Sequence, residues 1–296
     1  MAEILWQALA LVLLLAALAT GYRFVVARHG AALAPAQRLA VMVVVLTATG
    51  GAIGAPFWWF NAPAAFAWPL PPLAGRMLAA AGVAFALACG LALRRPEASH
   101  LRLIGAMLAL YLAPLTAAIV LAHLDRFDFT RGVTWGFFVI VVLLLAGCAM
   151  LVARPAGLSA DSAARPGSAT TALLGGAALL AGVWGLALFL RPQGPVAAIW
   201  LWPQDALTSR LIGAMFLTVA GMALAARHHA VLAQTALTVI VTYGTLVSAA
   251  GLFNLAAAKP LPVAYLAFWA VLAALALWRL LSADAAWPSP APSRRG

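Results

Sequence analysis

This chain of 296 residues has very few charged side chains. Charged residues make up 8% of the sequence and hydrophobic residues 66%, whereas soluble domains are about a quarter charged and about half apolar. So few charges cannot cover a water-exposed surface, so the composition excludes a soluble protein and indicates one that is embedded in a membrane. The longest polar stretch, residues 154–168, is too short to form a soluble domain.

Side chains that carry chemistry are scarce as well. The two cysteines, Cys89 and Cys148, fall inside predicted helices, where we expect them to pack. No carboxylate lies deep in a predicted helix, which argues against a carrier that couples to protons or sodium there. The histidines lie in predicted loops or at the outer edge, which disfavours haem ligation: His29, His100, His123, His228 and His229. With no protease pair or phosphate-binding loop, we expect no metal and no cofactor, and an enzyme is the least favoured class.

Nine segments are long and apolar enough to cross a bilayer, which takes about 20 helical residues. In lipid these segments must be helices, because an open strand edge would leave backbone groups unpaired. They also lack the alternation of polar and apolar residues that a closed barrel needs. The predicted fold is therefore all-α, with spans at residues 4–26, 39–58, 73–93, 101–124, 133–153, 172–190, 206–226, 231–255 and 261–281.

Basic residues alternate in number from loop to loop. One side holds twelve: Arg23, Arg28, Arg38, Arg94, Arg95, Arg102, Arg154, Arg165, Arg227, Arg279, Arg294 and Arg295. The other side holds six: Arg76, Arg126, Arg131, Arg191, Arg210 and Lys259. Cytoplasmic loops carry the excess of Lys and Arg, so we predict an outside N-terminus and a cytoplasmic C-terminus. Topology then accounts for most of the net charge of +11, and nucleic acid is not expected as a partner. The excess of Ala, Leu and Arg indicates a GC-rich bacterial genome, hence the bacterial inner membrane.

The predicted helices contain a tandem repeat. Trp68-Pro69 is followed by Arg76, and Trp202-Pro203 is followed by Arg210 at the same spacing. The offset of 134 residues (210 minus 76) holds about four crossings with their loops. Four is an even number, so both copies should enter the membrane in the same direction. The predicted units are a leading helix (1–34), a first repeat (35–154), a cytoplasmic linker (155–170), a second repeat (171–282) and a disordered tail (283–296).

The repeated arginines are the first candidate ligand-binding residues. Arg76 and Arg210 each lie near the start of a helix on the outer side, where a cation opposes the helix dipole. Each can reach a lipid phosphate or cap a loop carbonyl, or the two can face a shared outer cavity and hold a carboxylate, phosphate or headgroup. Asp205 is positioned to pair with Arg210, and the first copy has Pro71 in its place.

Aromatic side chains around the same loops are the second candidate. Trp68 and Trp202 precede the two arginines, and both can cover a ligand. Aromatic rings also gather at the membrane interface for ordinary reasons, and this alternative stays open. The loop after the fourth helix carries His123, Asp125 and Asp128 among arginines. Its spacing matches no metal signature, and we expect a salt-bridged loop.

The eighth predicted helix carries a polar stripe on one face. Its members recur at three- and four-residue spacing, with Tyr243 and Thr235 beside them: Gln234, Thr238, Thr242, Thr245 and Ser248. Such a stripe either forms hydrogen bonds between helices or lines a polar path. We include Gln234, Thr238, Thr242 and Tyr243 among the candidate ligand-binding residues.

One stretch resembles a motif from multi-pass membrane proteins. Residues 202–214, Trp-Pro-Gln-Asp-Ala-Leu-Thr-Ser-Arg-Leu-Ile-Gly-Ala, are similar to a loop-and-helix motif of uncharacterised proteins from GC-rich bacteria. The first copy departs from it after Arg76, where Met-Leu-Ala-Ala replaces Leu-Ile-Gly-Ala. The resemblance covers one loop and one helix per repeat and implies no activity.

Two classes of function remain. The first is a membrane protein that binds or transports a small anionic solute or lipid through an outer cavity between the repeats. The second is an accessory subunit of a larger membrane complex, whose aromatic faces pack against partner helices or lipid. The expected partners are therefore membrane lipids and, for the second class, other membrane subunits.

Overall fold

The computed structural model describes residues 2–27, 34–154, 162–194, 205–259 and 262–282, and 84% of these residues are helical. The helices are α1 (Ala2–Gly21), α2 (Pro35–Trp59), α3 (Pro72–Arg94), α4 (Ala98–Ala122), α5 (Gly132–Ala153), α6 (Ser168–Leu190), α7 (Ala206–Ala226), α8 (Ala230–Ala256) and α9 (Val263–Leu281). From α2 onward, eight helices are long and apolar enough to span a membrane. The predicted all-α, multi-pass membrane fold is confirmed.

The leading helix continues from α1 into a π-helical turn, Tyr22–Val26. The apolar stretch of it that the structure describes, Leu11–Phe24, is shorter than a full crossing. It packs on α2, where Gly21 lies against Val45. Eight spans are therefore shown by length and composition, and the ninth crossing, with the outside N-terminus that depends on it, stays a prediction.

The bounds of α2 to α9 agree with the predicted spans to within four residues, but one residue near the start of α4 was misplaced. We predicted His100 in a loop, and that placement is wrong. His100 lies in the first turn of α4, buried, with Nε2 2.8 Å from the Thr235 hydroxyl oxygen and Nδ1 3.2 Å from the Arg95 carbonyl oxygen. The helix admits a polar residue this early because α8 supplies a hydrogen-bond partner.

Four helices lie inside the bundle and four lie around it. In α3, α4, α7 and α8, 44–67% of the most apolar window is buried, against 22–33% in α2, α5, α6 and α9. The outer helices turn apolar side chains such as Leu143 and Leu180 outward. No other part of the described chain covers these side chains. They are stable when they face the hydrocarbon core of a bilayer.

The helices pack in a regular pattern. Helix α2 packs on α3, α4 on α5, α6 on α7, and α8 on α9. Two further contacts join α2–α5 to α6–α9: α3 packs against α8, and α4 packs against α7. The second helix of each group of four therefore packs on the third helix of the other group. We call these two contacts the α3–α8 seam and the α4–α7 seam.

Glycines let the backbones approach where α2 meets α3 and where α6 meets α7. A Cβ atom at Gly51 would lie 2.4 Å from the carbonyl oxygen of Gly82, and one at Gly185 would lie 3.0 Å from that of Gly213. Gly51 and Gly185 are separated by the same 134 residues (185 minus 51) as the two arginines. Helices in lipid associate through such close packing, because burial from water no longer drives them together.

A methyl group at Gly185 should destabilise the bundle. In Gly185→Ala the new Cβ would lie 2.8 Å from the Cβ of Phe216, which forces α6 and α7 apart. We expect a loss of about 1–3 kcal/mol of stability, seen as a lower melting temperature in detergent. Gly176→Ala is the matched control on the same helix, since nothing lies within 4 Å of its added Cβ. Equal melting temperatures for the two variants would contradict the close α6–α7 packing.

Candidate functional site

The two repeated arginines occupy the same register, each as the fifth residue of its helix. Arg76 on α3 has its guanidinium carbon 5.4 Å from the centroid of the Phe253 ring on α8. Arg210 on α7 forms a hydrogen bond through Nη1 with Nε2 of His123, the residue that ends α4. Arg76 therefore lies at one end of the α3–α8 seam, the end predicted to face outward, and Arg210 lies at the same end of the α4–α7 seam.

Arg210 has partners on two sides. Besides its bond to His123, its Nε donates to the carbonyl oxygen of Phe189 at 3.3 Å. Phe189 belongs to the last turn of α6, where carbonyl groups lack partners within the helix and carry the negative end of the helix dipole. A cation is stabilised at this position. The contacts of Arg210 are therefore those of a residue that caps a helix.

Asp205 does not form the predicted pair with Arg210. It caps the start of α7, accepting hydrogen bonds from the backbone N–H of Thr208 at 3.2 Å and from the Thr208 hydroxyl at 2.6 Å. Its Oδ1 also lies 3.8 Å from Nη2 of Arg126. The cap is a short-range interaction that holds the carboxylate at the helix terminus, so the ion pair forms with the arginine that reaches that terminus.

Arg76 has a different environment from Arg210. Its Nε atom is buried and has no hydrogen-bond partner among the described residues. No carboxylate of the described part of the chain forms an ion pair with it, and its guanidinium lies over the face of the Phe253 ring. A cation over an aromatic face gains about 0.5–2 kcal/mol, but an unpaired buried donor costs about 1–3 kcal/mol. A hydrogen-bond acceptor at Nε would remove that cost.

A second unpartnered atom lies beside the same helix. Oδ1 of Asn61 is buried and has no hydrogen-bond partner in the part of the chain that the structure describes, and a Cβ added at Gly75 would lie 2.5 Å from it. Asn61 has a φ of 55°, a left-handed conformation that asparagine adopts more readily than most residues. The loop that leads into α3 is therefore shaped so that the Asn61 side chain lies against the residue before Arg76.

Trp68 and Arg76, the two predicted site residues of the first predicted repeat, lie in different surroundings. Trp68 is buried, with its ring centroid 5.2 Å from that of Phe127 and 5.5 Å from that of Phe137. These neighbours belong to α5 and the loop before it, whereas Arg76 faces α8. The indole Nε1 of Trp68 is also buried and unpartnered among described residues. Trp202 lies outside the described residues.

Hydroxyl groups of the predicted polar stripe on α8 bond mainly to their own helix. Thr238 donates to the carbonyl oxygen of Gln234 at 2.9 Å, and Ser248 donates to that of Gly244 at 2.8 Å. Tyr243 is buried and shares a hydrogen bond of 2.9 Å with the hydroxyl of Tyr265 on α9. Gln234, Thr238 and Thr242 are half-buried. These bonds satisfy the hydroxyls within the bundle, which is what helix packing requires.

The contact between His123 and Arg210 joins residues 87 positions apart that sequence reasoning treated separately. Burial and the positive charge of Arg210 lower the pKa of His123 below its usual value. Its imidazole is therefore neutral near pH 7 and can accept a hydrogen bond from the guanidinium. In the following loop, the two hydrogen bonds from Thr130 lower the pKa of Asp128, so that carboxylate is charged at the same pH.

Comparisons with known proteins found no relative of this chain. No family model matches the chain, and neither a curated protein nor a solved structure matches it.

Acidification should weaken the α4–α7 seam. The pKa of His123 is lower in the folded protein than in the unfolded chain, where histidine titrates near 6.5. Stability is therefore lost as the pH falls below about 6.5, because the unfolded state binds the proton first. We expect the melting temperature to fall between pH 7.5 and 5.5, and to fall less in His123→Gln, which keeps an acceptor that does not titrate. The same fall in both proteins would contradict this role for His123.

Proposed function

We propose that this membrane protein binds a small anion or an anionic lipid headgroup at the outer end of the α3–α8 seam. The observation that carries the proposal is the guanidinium of Arg76, which has a buried, unpartnered Nε and no carboxylate beside it among the described residues. Carboxylate and phosphate oxygens accept from a guanidinium in the geometry that its fixed fork of donors offers.

The contrast between the two arginines supports the same conclusion. Arg210 donates to an imidazole and to a helix carbonyl, whereas the guanidinium of Arg76 lies over an aromatic ring and its Nε has no partner among the described residues. Both positions bring together residues from α2–α5 and α6–α9. A ligand at Arg76 would therefore touch both halves of the bundle, and its binding would strengthen the α3–α8 seam.

We further propose that α2–α5 and α6–α9 are two copies of one unit. Three pairs of residues share the offset of 134: the loop prolines, the seam arginines, and the glycines Gly51 and Gly185. The exchange of second and third helices across the seams is what a twofold relation between the copies produces. Duplicated bundles commonly place a ligand where the copies meet.

The inner-membrane location and the cytoplasmic C-terminus are proposals that rest on the distribution of basic residues. Fusion of a fluorescent protein to the C-terminus tests the orientation in bacterial cells, because the usual fluorescent proteins fold poorly after export. A bright fusion is expected. If the fluorescent fusion is dark and a second fusion, with alkaline phosphatase at the same terminus, is active, the proposed orientation is reversed, because this phosphatase is active only after export.

Loss of the Arg76 charge should weaken anion binding. We would titrate the purified protein with inorganic phosphate, acetate and dihexanoyl phosphatidylglycerol, and follow the melting temperature. For the anion that binds, Arg76→Gln should lower the affinity by roughly tenfold or more, because a hydrogen bond to a charged group contributes about 1.5–3 kcal/mol.

Arg191→Gln is the matched control, since Arg191 is an exposed arginine on the same predicted side. It removes the same charge and should leave the affinity unchanged. If none of the three anions raises the melting temperature, or if Arg76→Gln binds as tightly as the parent protein, the proposed site is wrong. Copurification of a stoichiometric partner polypeptide would then favour the accessory-subunit alternative.

A further inference from the structure

An open apolar groove lies on the side of the bundle where α4, α6 and α7 meet, next to the α4–α7 seam and away from Arg76. Its volume is about 1020 Å³, and one residue of α5 lies at its edge. Its walls are built from small and aliphatic side chains, including Ala106, Leu110, Gly175, Gly221 and Leu224. Its volume lies at the upper end of the range of about 300–1,000 Å³ that small-molecule sites occupy.

The length of the groove matches one leaflet of a bilayer. Along α7 its lining runs from Leu217 to Arg227, ten residues further on, which is about 15 Å at 1.5 Å per residue. The hydrocarbon core of a bilayer is about 30 Å thick, so half of it is about 15 Å. Leu217 therefore lies near the middle of the bilayer when Arg227 lies at its boundary, where headgroup phosphates are found.

The groove has a cationic mouth. Arg227 is the charged residue of its lining, and its Nε is buried without a hydrogen-bond partner among the described residues. The backbone of Arg227 is fixed, because its carbonyl accepts a hydrogen bond of 3.1 Å from the Thr171 hydroxyl at the start of α6. Arg102 is exposed one turn before Ala106 on the groove-facing side of α4, which adds a second cation at the same end.

We infer that this groove binds one acyl chain of an acidic phospholipid, with the headgroup phosphate on Arg227. The apolar lining and the length of the groove fit an acyl chain, and the guanidinium of Arg227 supplies a positive charge for the phosphate. In the orientation proposed above, the lipid belongs to the cytoplasmic leaflet. The site is separate from Arg76, so the inference does not depend on the outer anion site.

A photoreactive lipid tests the inference directly. The protein would be reconstituted in phosphatidylcholine vesicles with one-tenth phosphatidylglycerol that carries a diazirine in one acyl chain, and the labelled peptides would be mapped after illumination. We expect labels concentrated on α4, α6 and α7. An even spread over the other lipid-facing helices, such as α5 and α9, would overturn the inference.

Two neighbouring glycines give a matched pair of variants. Nothing lies within 4 Å of a Cβ added at Gly175 or at Gly176, but only Gly175 lines the groove. Gly175→Phe should fill the groove and lower labelling of α4, α6 and α7 by roughly tenfold, while Gly176→Phe should label as the parent does. Unchanged labelling in a folded Gly175→Phe protein would contradict the groove as the site.

Arg227→Gln tests the headgroup contact even if Gly175→Phe fails to fold. It should reduce labelling by the phosphatidylglycerol probe severalfold, and labelling by a phosphatidylcholine probe by less, because the choline cation offsets the charge of its phosphate. Arg94→Gln, an exposed arginine at the same predicted side, is the charge control and should change neither. Unchanged labelling by the phosphatidylglycerol probe would overturn the role of Arg227. Arg76→Gln should not affect this labelling, which keeps the test independent of the outer site.

Discussion

Close backbone contact between helices is the interaction on which the rest of this structure depends. A helix in lipid satisfies its own backbone groups, so packing between helices has to fix where each one lies. Glycines at the α2–α3 and α6–α7 contacts allow this approach. Once these pairs are tight, α3, α4, α7 and α8 form the interior, and the two seams between the halves follow.

The seams carry the cations that the membrane would otherwise exclude. Arg210 fits because a neutral histidine follows α4 and the last turn of α6 offers the Phe189 carbonyl beside it. Arg76 occupies the same register on α3, with an aromatic ring where Arg210 has an imidazole. In the proposed duplication, the two positions therefore differ in one respect: the guanidinium of Arg210 is paired within the protein, and that of Arg76 has an Nε with no partner among the described residues.

Sequence alone predicts a large part of this fold and less of its sites. The spans follow from apolar length, and the seam arginines stand out because a cation at a helix start breaks the charge pattern. The bond between His123 and Arg210 was not predictable, since it depends on which helices meet. His100 was misplaced for the same reason, because its partner Thr235 lies on another helix. The groove was not predictable either, because it forms between three packed helices and no local sequence pattern indicates such a space.

The most direct test of the unpaired guanidinium is native mass spectrometry of the protein extracted gently from its own membrane. We expect a single chain that retains a defined anion or anionic lipid, and we expect Arg76→Gln to lose that species while keeping any lipid bound at Arg227. A chain that carries stoichiometric partner polypeptides and the same bound species with or without Arg76 would contradict the anion site and favour an accessory subunit.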